Sequence, residues 1–169
     1  MEFKELEDNR QQMNISRESI EYMLNIIKKG KLKKVLEIGC FNGYSALMFS
    51  TVAESVKSIE IDKKFIEIAK GNFNKYGVRN IEILEGNAKE VLNNLQDDFD
   101  LVLIDAMKRE YKDYLILALK LVKKGFIYAD NTISHKDKMN DFFEYLNNFK
   151  LNWKELGIGR GLVEIKINI

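Results

Sequence analysis

The sequence predicts an α/β protein in which a mostly parallel sheet carries helices on both faces and ends in an antiparallel hairpin at one edge. Three observations carry this expectation. Short apolar runs recur at 34–38, 56–61, 81–84, 99–104 and 125–129, each of a length suited to a buried strand. Helix-period stretches separate them at 45–53, 63–76, 88–94 and 111–122, and strict alternation of this kind builds parallel sheets through right-handed crossovers. Two final runs, 151–156 and 161–167, flank the turn-forming segment Gly157-Ile158-Gly159-Arg160-Gly161, which reads as a hairpin.

Taken in order, residues 1–13 are charged and polar with Phe3, Leu6 and Met13 as spaced apolar positions, the pattern of a loose or partner-dependent helix at best. Ser16 is a candidate N-cap. After it, Ile20, Met23, Leu24, Ile26 and Ile27 make an apolar stripe that stops at Gly30, as an amphipathic helix does. Residues 1–30 are therefore expected to form a helical segment packed on the domain of residues 31–169. The first strand runs into Gly39-Cys40-Phe41-Asn42-Gly43, and Tyr44-Ser45 opens the next helix. Gly86-Asn87, Asp105 and Asp130-Asn131 end the third, fourth and fifth strands. A further helix at 137–148 leads to the hairpin, and there is no repeat, linker or low-complexity stretch.

At 169 residues with 46% hydrophobic content, the chain has the size and core of one domain. A net charge of +1 supplies no bulk attraction to nucleic acid or to an anionic membrane. The single Cys40 excludes an internal disulfide, and no apolar stretch near the roughly 20 residues of a membrane span or signal-like start is seen. The expected address is cytoplasmic, with no membrane partner.

In open sheets of this kind a ligand sits beyond the carboxyl ends of the strands. A dinucleotide site wants G-x-G-x-x-G, but Phe41 stands where the second glycine makes room for a pyrophosphate, so a pyrophosphate fits poorly. Free N–H groups at the helix start near Tyr44 suit an anionic group. Glu60, ending the second strand, is suited to both hydroxyls of a ribose, a role the same acid also plays in NAD folds. Gly86-Asn87-Ala88 would flank an adenine ring. Asp105, Asp130 and Asn131 place oxygen ligands on neighbouring strand ends, a set suited to Mg²⁺ or another hard divalent ion.

Glu37-Ile38-Gly39-Cys40-Phe41-Asn42-Gly43-Tyr44-Ser45 resembles the first motif of class I S-adenosylmethionine-dependent methyltransferases. With Asp105-x-x-Lys108 and Asp130-Asn131, the chain is similar over about residues 32–167 to the catechol and caffeoyl-CoA O-methyltransferase-like family. The resemblance implies a Rossmann-like methyltransferase with seven strands in the order 3-2-1-4-5-7-6, the last one antiparallel. It implies S-adenosylmethionine as cofactor, with Glu37 and Ser45 at its amino-acid end, Gly39, Gly43 and Tyr44 shaping the loop, Glu60 at the ribose, Asn87 and Ala88 at the adenine, and Asp105 beside them. It further implies a divalent metal on Asp105, Asp130 and Asn131 with Lys108 as general base. The sulfonium is already activated, so such an enzyme must present a deprotonated oxygen in line with the methyl group, and a bound metal and a nearby lysine serve that end.

Three departures bear on the substrate. Asn87 stands where the family has an acid. Gly159-Arg160-Gly161 replaces Gly-Asp-Gly, and Arg160 is either a fork for a carboxylate or phosphate on the acceptor or a solvated turn residue. The N-terminal helical region and the segment after Asp-Asn are short, which implies a small open pocket, completion by a second subunit in a homodimer, or a bulky acceptor. The expected activity is O-methylation of an acidic or vicinal hydroxyl of a small molecule. The alternatives are a tRNA hydroxyuridine O-methyltransferase and a non-catalytic cofactor-binding subunit, against which the joint presence of Asp105, Lys108, Asp130 and Asn131 argues. His135 reads as a polar helix-start residue or a second base, Cys40 as turn packing, and Tyr111, Tyr114, Tyr128 and Trp153 as core or pocket walls.

Overall fold

Five parallel strands set the frame of the protein, in a computed structural model that describes residues 3–8 and 11–169. They are β1 (Lys34–Ile38), β2 (Ser55–Glu60), β3 (Ile81–Glu85), β4 (Leu101–Ile104) and β5 (Gly125–Asp130). The closing hairpin, β6 (Asn152–Leu156) and β7 (Leu162–Ile167), inserts β7 antiparallel beside β5, so the sheet order is β3-β2-β1-β4-β5-β7-β6. This is the expected order and sense. The helices are α1 (Lys4–Asp8), α2 (Arg17–Gly30), α3 (Tyr44–Ser50), α4 (Lys63–Lys75), α5 (Ala88–Asn94), α6 (Tyr111–Leu121) and α7 (Asn140–Asn148).

Side chains alternate across a strand, so each strand feeds two cores. Leu36, Ile38, Val102, Ile104, Ile127 and Ala129 pack with α5, α6 and α7, while Val35, Leu101, Leu103 and Tyr128 pack with α2, α3 and α4. Glu37 shares the parity of Val35 and so points into the second layer. On the same face Tyr22 and Tyr128 each donate a hydrogen bond of 2.8 Å to the buried Glu164 carboxylate, which ties α2 to β5 and β7.

Element ends are set by local contacts, and α2 stops at Gly30 as expected. Gly30 is the last helical residue of α2, and Lys31 takes the left-handed conformation (φ 50°) that returns its N–H to Ile27 and Lys28. β4 starts at Leu101 because the N–H of Phe99 is committed to the carbonyl of Leu121 at 2.8 Å. The expected helix 137–148 divides into a 3-10 turn, Lys136–Lys138, and α7. The N-terminal stretch is more settled than its polarity suggests. Phe3 is buried and meets Tyr76 edge-on at 4.9 Å, and the Tyr44 hydroxyl donates to Glu7. Residues 1, 2, 9 and 10 of that stretch lie outside the described residues. Among the described residues no helix is long and apolar enough to cross a membrane.

Candidate active site

A cavity of about 730 Å³ opens beyond the carboxyl ends of β1 to β5, within the usual size of a small-molecule site. Its floor begins at the loop after β1. Gly39 (φ 102°) is required there because a Cβ would stand 2.2 Å from the carbonyl oxygen of Asp105, so the loop and the end of β4 touch backbone to backbone. Phe41 takes φ 50°, a sparsely populated conformation for a bulky residue, and its ring meets Phe65 at 4.7 Å on the cavity wall.

Glu60 ends β2 with its carboxylate fixed by backbone amides. Oε2 accepts from Phe41 N–H at 2.9 Å, and Oε1 from Ile61 and Asp62 N–H at 2.9 and 3.0 Å. Its orientation toward the cavity is thus set before any ligand arrives. Asn87 and Ala88 line the same cavity, but the Asn87 side-chain Oδ1 caps α5 by accepting from Lys89 N–H at 2.9 Å. That leaves its amide N–H₂ as the group free to turn to a ligand, where an acid offers only acceptors.

At the other end, Lys108 donates to Asp105 Oδ1 at 2.8 Å and to the Tyr111 hydroxyl at 2.6 Å. Tyr111 is fully buried on α6 and donates in turn to the Asp130 carbonyl at 3.1 Å. Burial first, and then the Asp105 and Asp130 carboxylates, hold its phenol well above the usual range, so it stays a hydroxyl. Asn131 (φ 65°) adopts a left-handed conformation that asparagine tolerates, and its amide N–H₂ reaches Asp105 at 3.1 Å and Asp130 at 2.7 Å. Burial and the neighbouring Asp105 push the Asp130 carboxyl up to about 7. His135 lies on the cavity wall, its imidazole held below its usual range by burial and then by Lys138, Lys108 and Arg160.

The structure brings Gly39, Ser45, Glu60, Asn87, Ala88, Asp105, Lys108 and Asn131 to one cavity. Glu37, Gly43, Tyr44 and Asp130 stand behind its wall. Glu37 is fully buried, accepting from the hydroxyls of Ser45 and Ser58, and burial pushes its carboxyl up to about 8 against the pull of those two donors. Ser45, which donates to it, itself lines the cavity. The Tyr44 N–H is taken by Asn42 Oδ1 at 3.2 Å, so it is not free for an anion. Sequence reasoning missed the roof, formed by Gln12, Met13, Asn14 and Ile15. It also missed the buried pair in which Asn14 Nδ2 donates to Asn42 Oδ1 at 2.7 Å. Only the Asn types hinted at it.

Among the described residues no group of three His, Cys, Asp or Glu side chains that could hold a metal is found. The oxygen set consists of two carboxylates and one amide, and two of its buried atoms, Asp130 Oδ1 and Asn131 Oδ1, have no hydrogen-bond partner. Unpartnered buried acceptors carry a desolvation cost, which a hard cation relieves. The donor chemistry fits a divalent ion.

A family model described as O-methyltransferase matches residues 3–144. A caffeoyl-CoA O-methyltransferase of Populus kitakamiensis is 33% identical over 131 residues, which is 72% of this chain and 56% of that protein. O-methyltransferase ankF of Aspergillus thermomutatus is 36% identical over 112 residues, 61% of this chain and 47% of its own length. The chain thus spans about half the length of the curated relatives it matches. The SAH-bound methyltransferase PaMTH1 of Podospora anserina superposes with a TM-score of 0.87 at 24% identity, covering 98% of this chain and 86% of that one, which establishes the fold.

Proposed function

The chain belongs to the O-methyltransferase family, and from that membership we propose that it moves the methyl group of S-adenosylmethionine to an acidic or vicinal hydroxyl of a small molecule, assisted by a divalent cation such as Mg²⁺. One observation carries the reading: the amide-fixed Glu60 and the cluster of Asp105, Lys108 and Asn131 line a single cavity. A nucleoside held at the first faces an acceptor held at the second. A catechol O-methyltransferase of Niastella koreensis, 32% identical over 110 residues, makes catechols the first acceptor class to try.

In this mechanism Glu60 accepts the ribose hydroxyls, the Gly86 to Ala88 edge borders the adenine, and Ser45, backed by Glu37, meets the amino-acid end. Asp105, Asp130 and Asn131 would hold the cation, which when bound supplies Lewis acidity that makes an acceptor hydroxyl easier to ionise. Lys108, in its neutral amine form and steadied by Tyr111, takes the hydroxyl proton on Nζ and becomes an ammonium beside Asp105. The oxygen then displaces the neutral thioether S-adenosylhomocysteine from the methyl carbon. Positioning the two partners within about 3 to 3.5 Å supplies much of the rate. Calorimetric titration with S-adenosylmethionine and with NAD tests the cofactor half. Binding of the first alone supports the reading, and binding of NAD alone ends it. Parallel transfer assays on catechols and on tRNA decide the acceptor class.

A further inference from the structure

Arg160 occupies the turn between β6 and β7, where the resembling family carries an aspartate, and its surroundings give it a definite task. Its Nη1 donates to the Gln12 carbonyl at 3.0 Å and its Nη2 to the Asn14 carbonyl at 3.2 Å, so the fork of the guanidinium closes on the roof of the cavity. An aspartate there would set oxygen against oxygen. The backbone of the same residue faces the other way. The N–H groups of Ile133 and Ser134 both donate to the Arg160 carbonyl at 3.1 Å, and Thr132 N–H donates to Gly161 at 3.2 Å. The turn therefore also holds the loop that follows Asp130 and Asn131.

The packing around this turn leaves no slack. A Cβ on Gly159 would stand 2.1 Å from Ser16 Oγ at the start of α2, and one on Gly161 would stand 2.3 Å from the Ile133 nitrogen. Gly161 is pressed against the loop that Arg160 holds, and Gly159 against Ser16, the residue that follows the roof segment. The roof has a second tie, through the side chain of the residue whose carbonyl Arg160 holds. Asn14 Nδ2 donates to Asn42 Oδ1, and Asn42 belongs to the loop that shapes the cofactor side of the cavity.

We propose that Arg160 is a positioning residue that latches the roof segment, residues 12–15, to the loop bearing Asp130, Asn131 and His135, so that retention of the cofactor and order on the acceptor side are coupled. It touches neither the methyl group nor the acceptor oxygen. This rests on the cofactor reading above. The energetic route is population: a roof that is closed only part of the time lowers apparent affinity in proportion to the closed fraction.

The test compares the wild type with Arg160→Gln and Arg160→Lys by S-adenosylmethionine calorimetry and by amide hydrogen exchange, with and without cofactor. Arg160→Gln is expected to weaken cofactor binding about tenfold, the effect of lowering the closed fraction from near unity to about one tenth, and Arg160→Lys to recover part of it. Exchange at residues 12–15 should rise in the glutamine variant. Cofactor should slow exchange at Ile133 and Ser134 in the wild type and fail to do so in the variant. A merely structural role would not move that last readout. Asn14→Ala, which cuts the tie to Asn42 and keeps the carbonyl that Arg160 holds, should give the same phenotype, and the two changes together less than the product of their separate effects. If wild type binds no cofactor, the functional reading has failed. If wild type binds and both variants bind equally well with unchanged exchange, the latch is overturned. A change confined to the Michaelis constant of an anionic acceptor would overturn it too, in favour of acceptor recognition by Arg160.

Discussion

Replacing Glu37 by glutamine removes a proton-binding group from the centre of the sheet, and the consequence is a change in how stability depends on pH. The carboxyl is fully buried between Ser45 and Ser58, and burial raises it from 4.5 to about 8. A raised acid binds its proton more tightly in the folded state. Its contribution to stability is therefore complete below pH 4.5, is lost steadily as the unfolded chain ionises above that, and levels off once pH passes about 8. At about 1.4 kcal/mol per unit, the interval sets a ceiling of about 5 kcal/mol. Urea unfolding of both proteins without ligand, at several values from pH 5 to pH 9, measures it. Because Asp130 and every other group titrate in both, the difference between the curves isolates Glu37. The variant should match the wild type near pH 5 and exceed it by a few kcal/mol near pH 8. Parallel curves would refute the reasoning, since they would mean that Glu37 keeps its charge in the folded protein.

The remaining predictions concern the cavity. Glu60→Ala should weaken S-adenosylmethionine binding by roughly 10- to 100-fold in calorimetry, the loss of a charge-assisted hydrogen bond of about 1.5 to 3 kcal/mol. Lys108→Met should cut kcat by about two orders of magnitude or more with little change in cofactor affinity, the typical worth of a general base, as read in single-turnover transfer assays. Asp130→Ala should abolish the stimulation of transfer by Mg²⁺ while leaving cofactor affinity near that of the wild type. If the variant still responds to Mg²⁺ titration, the cation is held elsewhere.

Much of the fold was legible because its signals are local. Apolar runs separated by helix-period stretches specify a parallel sheet, and the position of each strand end then follows from chain order, so Glu60, Asn87 and Asp105 could be placed at one edge from sequence alone. The inward turn of Glu37 was also encoded, in its parity with Val35, but recognising it requires knowing that α3 covers that face. What the sequence did not disclose depends on contacts between distant segments. Arg160 and Gln12, or Asn14 and Asn42, are polar residues in irregular segments, where no periodicity reports a partner. The link from Lys108 to Tyr111 was hidden differently. Tyr111 begins a helix and reads as core, and only the fold shows its hydroxyl between a lysine and the Asp130 carbonyl.

The measurement that tests the account most directly follows labelled methyl from S-adenosylmethionine onto a panel of catechols, with Mg²⁺ and with a chelator, for the wild type and for Lys108→Met. The account predicts label on a hydroxyl oxygen for the wild type with Mg²⁺, little with chelator, and little for the lysine variant under either condition. Label on carbon or nitrogen, or equal transfer by wild type and Lys108→Met regardless of chelator, would contradict it.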